Sequence, residues 1–359
     1  MRRLIVGEAA PWFDGREVAG NPRFAFDQAG GRWVLLLFAD TMGDDRTRSA
    51  FEWVMHNRTL FDDRRTAFFG ITTDPQDVAQ RRVTQELPGI RWFFDEHRSV
   101  SRAYGAVAER ESFEEYHPHW VLLDPTMRVH AVADLQDAQD IIGLMRTAAE
   151  AGSIPSPQAP VLIVPNILPP EMCRQLIATF ETRGGRKSGF MRQIGDRTHL
   201  VVDSRAKRRS DYNIEEPQLR AALKSRISLA LLPMIYRAFQ FKVTRIERYT
   251  VAKYDGIEKG FFTAHRDNTT AGTAHRKFAC TINLNSDDYE GGDLCFPEFG
   301  PKRFRAPTGG AVVFSCSLLH EAQAVTRGSR YAFLPFFYDE AGAELRKKNA
   351  GSISLEVPS

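Results

Sequence analysis

Four polar side chains towards the end of the chain constrain its fold more than any other feature. His265 and Asp267 are separated by one residue, His320 lies 55 residues after His265, and Arg330 follows ten residues later. On a strand, alternate residues face the same side, so His265 and Asp267 are predicted to point together into a barrel. His320 and Arg330 accompany other strand-like runs. If these strands form a barrel, all four side chains are expected to lie in its interior.

The residue types predict a metal site in that interior. Two imidazoles and one carboxylate suit a redox-active iron(II) ion that must keep open coordination positions. An arginine shortly after the last ligand can pair with a carboxylate-bearing cosubstrate through two hydrogen bonds. We therefore predict His265, Asp267 and His320 as metal ligands and Arg330 as the cosubstrate-binding residue. The same three ligands also suit zinc, which stays an alternative.

The first part of the chain is predicted to be a layered α/β domain over residues 1–150. Short apolar runs typical of buried strands alternate with helical stretches such as Ser49–Asn57. A closing amphipathic helix is indicated by the apolar residues between positions 141 and 145. The predicted strands are Trp33–Ala39, Ala67–Thr72, Ile90–Phe94 and Trp120–Leu123.

A linker rich in small residues and proline is predicted over residues 151–160. Two helical stretches follow, one beginning at Pro169-Pro170 and one running from about Gln218 to Phe239. Helices followed by a run of strands favour a jelly roll braced by helices, which we assign to residues 161–342, with a tail over 343–359. The predicted strands are Val243–Tyr254, Phe278–Leu284, Gly292–Phe296, Ala311–Ser315 and Tyr331–Tyr338.

Charge and cysteine content limit the function classes. Residues 1–150 carry 18 arginines, no lysine and 24 acidic residues, whereas the remainder has a net charge of +9. We interpret the basic stretch from Arg183 to Arg209 as a solvated face around the mouth of the site, because no nucleic-acid-binding motif accompanies it. The four cysteines show no metal-type spacing, which predicts buried free thiols. With no apolar run long enough to span a membrane, we expect a cytoplasmic protein.

The opening Gly7-Glu8-Ala9-Ala10-Pro11-Trp12-Phe13, together with the strand WVLLLFAD, resembles the start of peroxiredoxins and related thioredoxin-fold proteins. Those enzymes place a reactive cysteine just beyond this strand, where this chain has Asp40-Thr41-Met42-Gly43. Thiol peroxidase chemistry needs a thiolate, so we predict a binding or structural module here. The resemblance also suggests a cis peptide bond before Pro118.

The second half resembles the prolyl 4-hydroxylase-like branch of the iron(II)- and 2-oxoglutarate-dependent dioxygenases. The resemblance is carried by GFFTAHRDN (260–268), the stretch 281–294 with its YEGGDL, and HEAQAVTRGSRYAF (320–333). It implies a double-stranded β-helix that binds iron(II) through His265, Asp267 and His320. It further implies that Arg330 pairs with the distal carboxylate of 2-oxoglutarate and that a tyrosine supports that cosubstrate. Tyr254 is preferred over Tyr249 for this role.

The predicted activity is hydroxylation of a C–H bond with 2-oxoglutarate and dioxygen as cosubstrates, releasing succinate and CO2. Ascorbate is implied as an auxiliary reductant. The resemblance favours a protein or peptide residue as substrate, with proline first, and a free amino acid or another small metabolite stays open. Neither a membrane nor a nucleic acid is an expected partner, and the sequence does not specify an oligomeric state. The alternative is a non-catalytic binding or regulatory protein that retains both folds.

Overall fold

The chain folds into two compact units. The structure, a computed structural model, describes residues 3–109, 113–151, 158–195 and 197–354. Unit 1 comprises Met1–Gln158 with Pro297–Gly300, and unit 2 comprises Ala159–Phe296 and Pro301–Ser359. Most of the predicted linker (152–157) and the end of the predicted tail (355–359) lie outside the described residues. None of the described helices combines the length and apolar composition that a membrane crossing needs.

Unit 1 contains nine strands and four α-helices among its described residues. The strands are β1 (Asp14–Gly15), β2 (Phe24–Ala25), β3 (Trp33–Asp40), β4 (Thr66–Thr72), β5 (Ile90–Phe94), β6 (Val107–Glu109), β7 (Glu114–Tyr116), β8 (His119–Leu123) and β9 (Val129–Asp134). The helices are α1 (Asp45–His56), α2 (Pro75–Ala79), α3 (Ser99–Ala103) and α4 (Ala138–Glu150).

The central strand of unit 1 is apolar throughout because both of its faces are covered. The sheet has the order β5-β4-β3-β8-β9, with β3, β4 and β5 parallel and β8 and β9 antiparallel. Along β3, Leu35 and Leu37 enter one core cluster, and Leu36 and Phe38 enter the other. A strand buried on both faces reads as a continuous hydrophobic run, which is why the sequence located it. The cis peptide bond in the described part of the chain joins Leu87 to Pro88. The expected cis bond before Pro118 was therefore wrong.

Unit 2 is dominated by β-structure. Its strands are β10 (Leu162–Val164), β11 (Arg186–Lys187), β12 (Phe190–Ile194), β13 (Arg197–Val201), β14 (Lys207–Arg208), β15 (Ser210–Asn213), β16 (Arg245–Glu247), β17 (Thr250–Asp255), β18 (Phe261–His265), β19 (Phe278–Asn283), β20 (Glu290–Gly291), β21 (Leu294–Cys295), β22 (Arg303–Phe304), β23 (Ala311–Ser315), β24 (His320–Ala322), β25 (Val325–Arg327), β26 (Ser329–Phe333), β27 (Phe336–Tyr338) and β28 (Ile353–Ser354). Its helices are α5 (Pro170–Arg183), α6 (Pro217–Arg226), α7 (Leu232–Phe239) and α8 (Glu340–Lys348).

Two sheets of unit 2 form the jelly roll. The larger runs β10-β23-β19-β26-β17-β15-β11, with β16 and β27 attached beside it, and the smaller runs β14-β18-β24-β21-β22. Helix α5 starts at Pro170, where a missing amide leaves no hydrogen bond unmade. It ends at Arg183, because the next residue, Gly184, has a φ of +76° that few other residues adopt. The predicted helical stretch from Gln218 to Phe239 consists of α6, a π-helical segment (Ile227–Leu231) and α7.

The helices cover one face of the larger sheet. Leu176, Leu223 and Ile235 from the helices share a core cluster with Val251 and Phe333 from the strands. Because side chains alternate along a strand, the neighbouring Ala252 and Ala332 face the opposite side, which is the interior of the jelly roll. The fold therefore presents one apolar sheet face to the helices and leaves the other free for a site.

The covered face generates a stability prediction. Phe333→Ala should lower the free energy of unfolding by about 3–5 kcal/mol, because the ring is fully buried and its removal leaves a cavity. Urea unfolding followed by circular dichroism would measure the loss. The matched control is Leu229→Ala, at an exposed position of the π-helical segment, where we expect a change within about 0.5 kcal/mol. Equal effects for the two variants would contradict this assignment of the core.

Candidate active site

Three potential metal ligands converge at one end of the smaller sheet. The ligand atoms of His265, Asp267 and His320 all lie within 4.8 Å of one another. His265 Nε2 is 3.5 Å from Asp267 Oδ1, and His320 Nε2 is 3.3 Å from Asp267 Oδ2. No other group of three such side chains occurs among the residues that the structure describes. Two nitrogens and one oxygen on one side of a common point could hold a metal ion and leave its other side open.

Strand pairing places the two histidines opposite each other. His265 ends β18 and His320 begins β24, and the two residues are direct partners in the antiparallel pair. Asp267 lies beyond the end of β18, so the expectation that it shares a strand face with His265 was wrong. Its position is set instead by its backbone N–H, which donates to the Cys316 carbonyl at 3.0 Å. The chain turns after His265 because β24, the partner strand, starts only at His320.

Hydrogen bonds and burial prepare the three side chains for a metal ion. Nδ1 of His265 donates to the Thr263 carbonyl at 2.7 Å, and Nδ1 of His320 donates to the Leu318 carbonyl at 3.0 Å. Carbonyls only accept, so each Nε2 is left with a free lone pair. Burial lowers the pKa of His320 to about 4, and the neighbouring His265 contributes to this shift. That imidazole is therefore neutral at pH 7, as a metal ligand must be.

Asp267 is held in its ionised form. Burial alone would raise the pKa of this carboxyl group, but His320 and His265 outweigh burial and keep the pKa well below its usual range. With the His320 imidazole neutral at pH 7, the buried Asp267 carboxylate is an anion whose charge a divalent metal ion bound there would compensate. The donor set thus fits a metal ion by its protonation state as well as by its atoms.

A second feature of the site is a buried guanidinium without a carboxylate partner. Arg330 is 3% exposed, and its Nη1 donates to the Gly292 carbonyl at 2.7 Å. Its Nε is buried and has no hydrogen-bond partner, and no carboxylate lies within 4.0 Å among the described residues. Buried charges are normally paired. The orphaned donor therefore points to an anionic ligand.

Tyr254, but not Tyr249, lies beside Arg330. Tyr254 on β17 is the direct partner of Arg330 on β26, and the guanidinium carbon lies 5.1 Å from the centroid of the tyrosine ring. Tyr249 packs instead against the core that the helices cover, with its ring 6.1 Å from Phe333. The sheet thus separates the two tyrosines that the sequence proposed for one role.

Sequence reasoning missed a buried ion pair that holds Tyr254. Arg209 donates from Nε and Nη2 to the two oxygens of Asp211, both at 2.7 Å, and its Nη1 donates to the Tyr254 hydroxyl at 3.2 Å. Ser188 also donates its hydroxyl to Asp211, at 2.5 Å. Burial alone would raise the pKa of Asp211, but Arg209 outweighs it and lowers that pKa to about 2. Arg209 belongs to the stretch interpreted as solvated, and its side chain is only 6% exposed.

The carbonyl that accepts from Arg330 sits in a tightly held loop. Arg305 donates to the Asp293 carboxylate at 2.5 Å and to the carbonyls of Ser286 and Tyr289, each at 3.1 Å. Gly292 has a φ of +67°, and a Cβ there would lie 2.8 Å from a methyl carbon of Val325. Glycine is required at this position, which explains the Gly-Gly pair seen in the sequence.

In unit 1, the segment that follows β3 (Thr41-Met42-Gly43) carries no cysteine, and its polar groups are hydrogen-bonded within the unit. The Met42 N–H donates to the Asp77 carboxylate at 2.8 Å, and the Thr72 hydroxyl donates to the same oxygen at 2.5 Å. Asp77 is fully buried. This segment therefore offers neither a thiolate nor an unpaired charge for chemistry.

Both units are similar to known proteins. Residues 6–132 match the model of the AhpC/TSA family. A PKHD-type hydroxylase of Verminephrobacter eiseniae (strain EF01-2) is 32% identical over 194 residues, covering 50% of this chain and 78% of that protein. The same figures hold for a PKHD-type hydroxylase of Polaromonas sp. (strain JS666 / ATCC BAA-500). Among solved structures, a prolyl hydroxylase from Trichoplax adhaerens, in complex with a hypoxia inducible factor peptide fragment, aligns with a TM-score of 0.41 and 17% identity over 59% of this chain and 94% of that one.

The fold and the relatives define an enzyme class. Unit 1 is a thioredoxin-like domain of the AhpC/TSA type, and unit 2 is a jelly-roll domain similar to PKHD-type hydroxylases. The chain belongs to the PKHD-type hydroxylase family. The predicted fold class and both family resemblances are thereby confirmed.

The buried ion pair beside Tyr254 generates a prediction about stability and pH. The ordinary pKa of 3.8 for Asp211 falls to about 2 in the folded state, so its stabilising effect is complete above about pH 4 and is lost as the pH falls towards 2. Asp211→Asn should cost about 2–4 kcal/mol at pH 7, and its difference from the wild type should narrow by pH 3. Urea titrations at both pH values would measure this. Asp287→Asn, at an exposed position, is the control and should match the wild type at both.

Proposed function

We propose that the chain is an iron(II)- and 2-oxoglutarate-dependent dioxygenase whose metal ligands are His265, Asp267 and His320. The proposal rests on two features that occur together. One is this cluster of three ligands, and the other is the buried guanidinium of Arg330 on the neighbouring sheet, which has no carboxylate partner among the described residues. A ligand set alone would suit zinc as well, and an unpaired arginine alone would suit many anions. Together they fit a metal chelate with a carboxylate tail, which is the shape of 2-oxoglutarate.

Iron(II) held there would supply dioxygen activation and the oxidative decarboxylation of 2-oxoglutarate to succinate and CO2. The chain's own residues orient the reactants. The carbonyls of Thr263 and Leu318 fix the ring planes of the two histidines, so each Nε2 faces the metal position. Arg330 binds the distal carboxylate of the cosubstrate, and its burial makes that contact stronger than it would be in water.

Tyr254 supports the same carboxylate from the other side of Arg330. Its ring packs beside the guanidinium, and the Arg209–Asp211 pair holds its hydroxyl in place. A hydroxyl that accepts from Arg209 keeps its own proton available to donate to a cosubstrate oxygen. This geometry favours Tyr254 over Tyr249, which lies on the helix-covered side of the sheet.

The substrate in this proposal is an amino-acid C–H bond, in a protein or peptide residue such as proline or in a small amino-acid-like molecule. Ascorbate would serve as auxiliary reductant. Unit 1 acts as a binding or structural module, because the position after β3 holds Met42 and no cysteine. All four cysteines are free and buried in unit 2, which favours a reducing compartment and a cytoplasmic location. Fractionation of cells that express the tagged chain would test that location.

The metal assignment predicts that His265→Ala abolishes the binding of one equivalent of Co(II), used as an air-stable probe for iron(II). Removing one of three ligands should weaken binding by more than about 100-fold, because the remaining two side chains cannot satisfy the ion. Calorimetric titration of metal-free protein would measure this. His56→Ala is the control, since this exposed histidine lies on α1 in unit 1. Unchanged Co(II) affinity in His265→Ala would rule the site out.

The cosubstrate assignment predicts a different outcome for Arg330→Ala. Loss of a charge-assisted pair worth about 1.5–3 kcal/mol should raise the Kd for 2-oxoglutarate roughly 10- to 150-fold, while Co(II) still binds. Both proteins would then be loaded with iron(II) anaerobically and exposed to air. At low 2-oxoglutarate concentration, Arg330→Ala should form less succinate than the wild type, in proportion to its weaker binding of 2-oxoglutarate. If Co(II) affinity collapsed and 2-oxoglutarate affinity did not, the roles assigned to Arg330 and the ligands would be wrong.

A further inference from the structure

A second buried cation, Lys207, has no role in the function proposed above. Lys207 is only 6% exposed, and its Nζ donates to the Gly189 carbonyl at 2.7 Å. The same Nζ lies 4.6 Å from the centroid of the Phe262 ring. No carboxylate lies within 4.0 Å of Nζ in the described part of the chain. An ammonium group has three donors, so one carbonyl leaves two of them unused.

Strand register puts Lys207 on the same side of the smaller sheet as the metal ligands. Lys207 on β14 is the direct partner of Phe262 on β18, and direct partners in an antiparallel pair face the same side. Phe262 in turn stacks on His265, with ring centroids 3.5 Å apart. A bulge in β18 between Phe262 and His265 brings the two rings to one face. Lys207 is therefore linked to the metal site through a single aromatic ring.

The other buried bases near the site already have an anion. Arg209 is paired with Asp211 at 2.7 Å, and Arg276 is paired with Glu247 at 2.8 Å. In the proposed function Arg330 takes the distal carboxylate of 2-oxoglutarate. Lys207 is the one member of this set of four buried bases that still lacks an anionic partner. Burial and the nearby Arg209 lower the pKa of Lys207, and the more distant carboxylates of Asp211 and Asp267 only partly offset this effect. A buried ammonium group is stable only with a counter-ion.

We propose that Lys207 binds a carboxylate group of the substrate to be hydroxylated, and that the substrate is therefore an acidic amino-acid derivative. The two unused donors of Nζ face the oxygens of that carboxylate, and the apolar part of the substrate packs on Phe262 beside the metal. A free carboxylate of this kind occurs in an amino acid, at the C-terminus of a peptide or in an acidic side chain. The inference rests on the proposed function, because it assumes that Arg330 is occupied by the cosubstrate.

The competing role for Lys207 is structural. Its hydrogen bond to Gly189 could merely hold the start of β12 in place. A structural role would make substitutions lower stability and weaken every ligand alike. It would not make the protein distinguish a carboxylate from the amide of the same shape. The ratio of acid to amide affinity therefore separates the two roles.

The test uses the full chain loaded with Co(II) and saturated with N-oxalylglycine, which fills the Arg330 position. Calorimetry then measures the affinities of matched acids and amides. The acids are N-acetyl-proline, N-acetyl-leucine and N-acetyl-lysine, and each is compared with its C-terminal amide. A further pair, Ac-Pro-Glu-NH2 against Ac-Pro-Gln-NH2, tests the side-chain source of the carboxylate. We expect at least one acid to bind about tenfold or more tightly than its amide. The pair that does so identifies the source.

Lys207→Met, which nearly keeps the length of the side chain and removes its charge, should bring the ratio of acid to amide affinity close to one. Lys207→Arg, which keeps the charge, should retain most of the preference for the acid. Lys224→Met, at an exposed position on α6, is the matched control and should leave the ratio unchanged. If Lys207→Met does not fold, Lys207→Gln replaces it as the variant whose ratio of acid to amide affinity should approach one.

Two results would overturn the inference. One is equal affinity, or no saturable binding up to about 10 mM, for every acid and amide pair with the wild type. The other is an acid preference that Lys207→Met retains. Either result, together with normal binding of Co(II) and N-oxalylglycine, would remove the role of Lys207 and leave the proposed function intact. Failure of the wild type to bind Co(II) or N-oxalylglycine would instead refute the proposed function and with it the premise of this inference.

Discussion

The antiparallel pairing of β17 with β26 is the constraint on which the site of unit 2 depends. It sets Tyr254 opposite Arg330, while Val251 and Phe333, also direct partners, enter the core beneath the helices. Because side chains alternate, one register sends apolar residues to the helices and polar residues to the interior of the jelly roll. A slip of one residue would exchange the two sets and bury charge among leucines. The hydrophobic core therefore enforces the geometry of the functional face.

Charge in that interior is compensated unevenly. Asp211 and Glu247 each neutralise at least one arginine, and Asp267 lies between two histidines. Arg330 and Lys207 are left with backbone carbonyls as acceptors. Leaving two cations unpaired costs stability that a better-paired interior would keep. Natural proteins depart from local satisfaction mainly at functional sites, so these two cations are the positions at which we propose that ligands bind.

Local patterns predicted the framework, and long-range pairing decided the rest. Strands β5 and β23 have the bounds predicted, because a short apolar run is a property of neighbouring residues. The end of β18 before Asp267 depends on β24, which lies far along the chain. Lys207 and Arg209 sit in a stretch so basic that solvation was the natural interpretation, and nothing local indicates burial. Their environment arises only when β14 pairs with β18 and β15 pairs with β17.

The buried carboxylates of unit 1 and two buried cations of unit 2 differ in how they are compensated. In unit 1, the fully buried Asp77 accepts from a backbone amide and a hydroxyl, and Asp95 accepts from the amide and the hydroxyl of Ser101. Both carboxylates are thus satisfied by the fold alone. In unit 2, buried cations remain that the fold does not satisfy. A thioredoxin-like domain that has lost its thiol can keep its structure by internal pairing. The unpaired cations of unit 2, Arg330 and Lys207, are therefore the reason for proposing that the catalytic role belongs to the jelly roll.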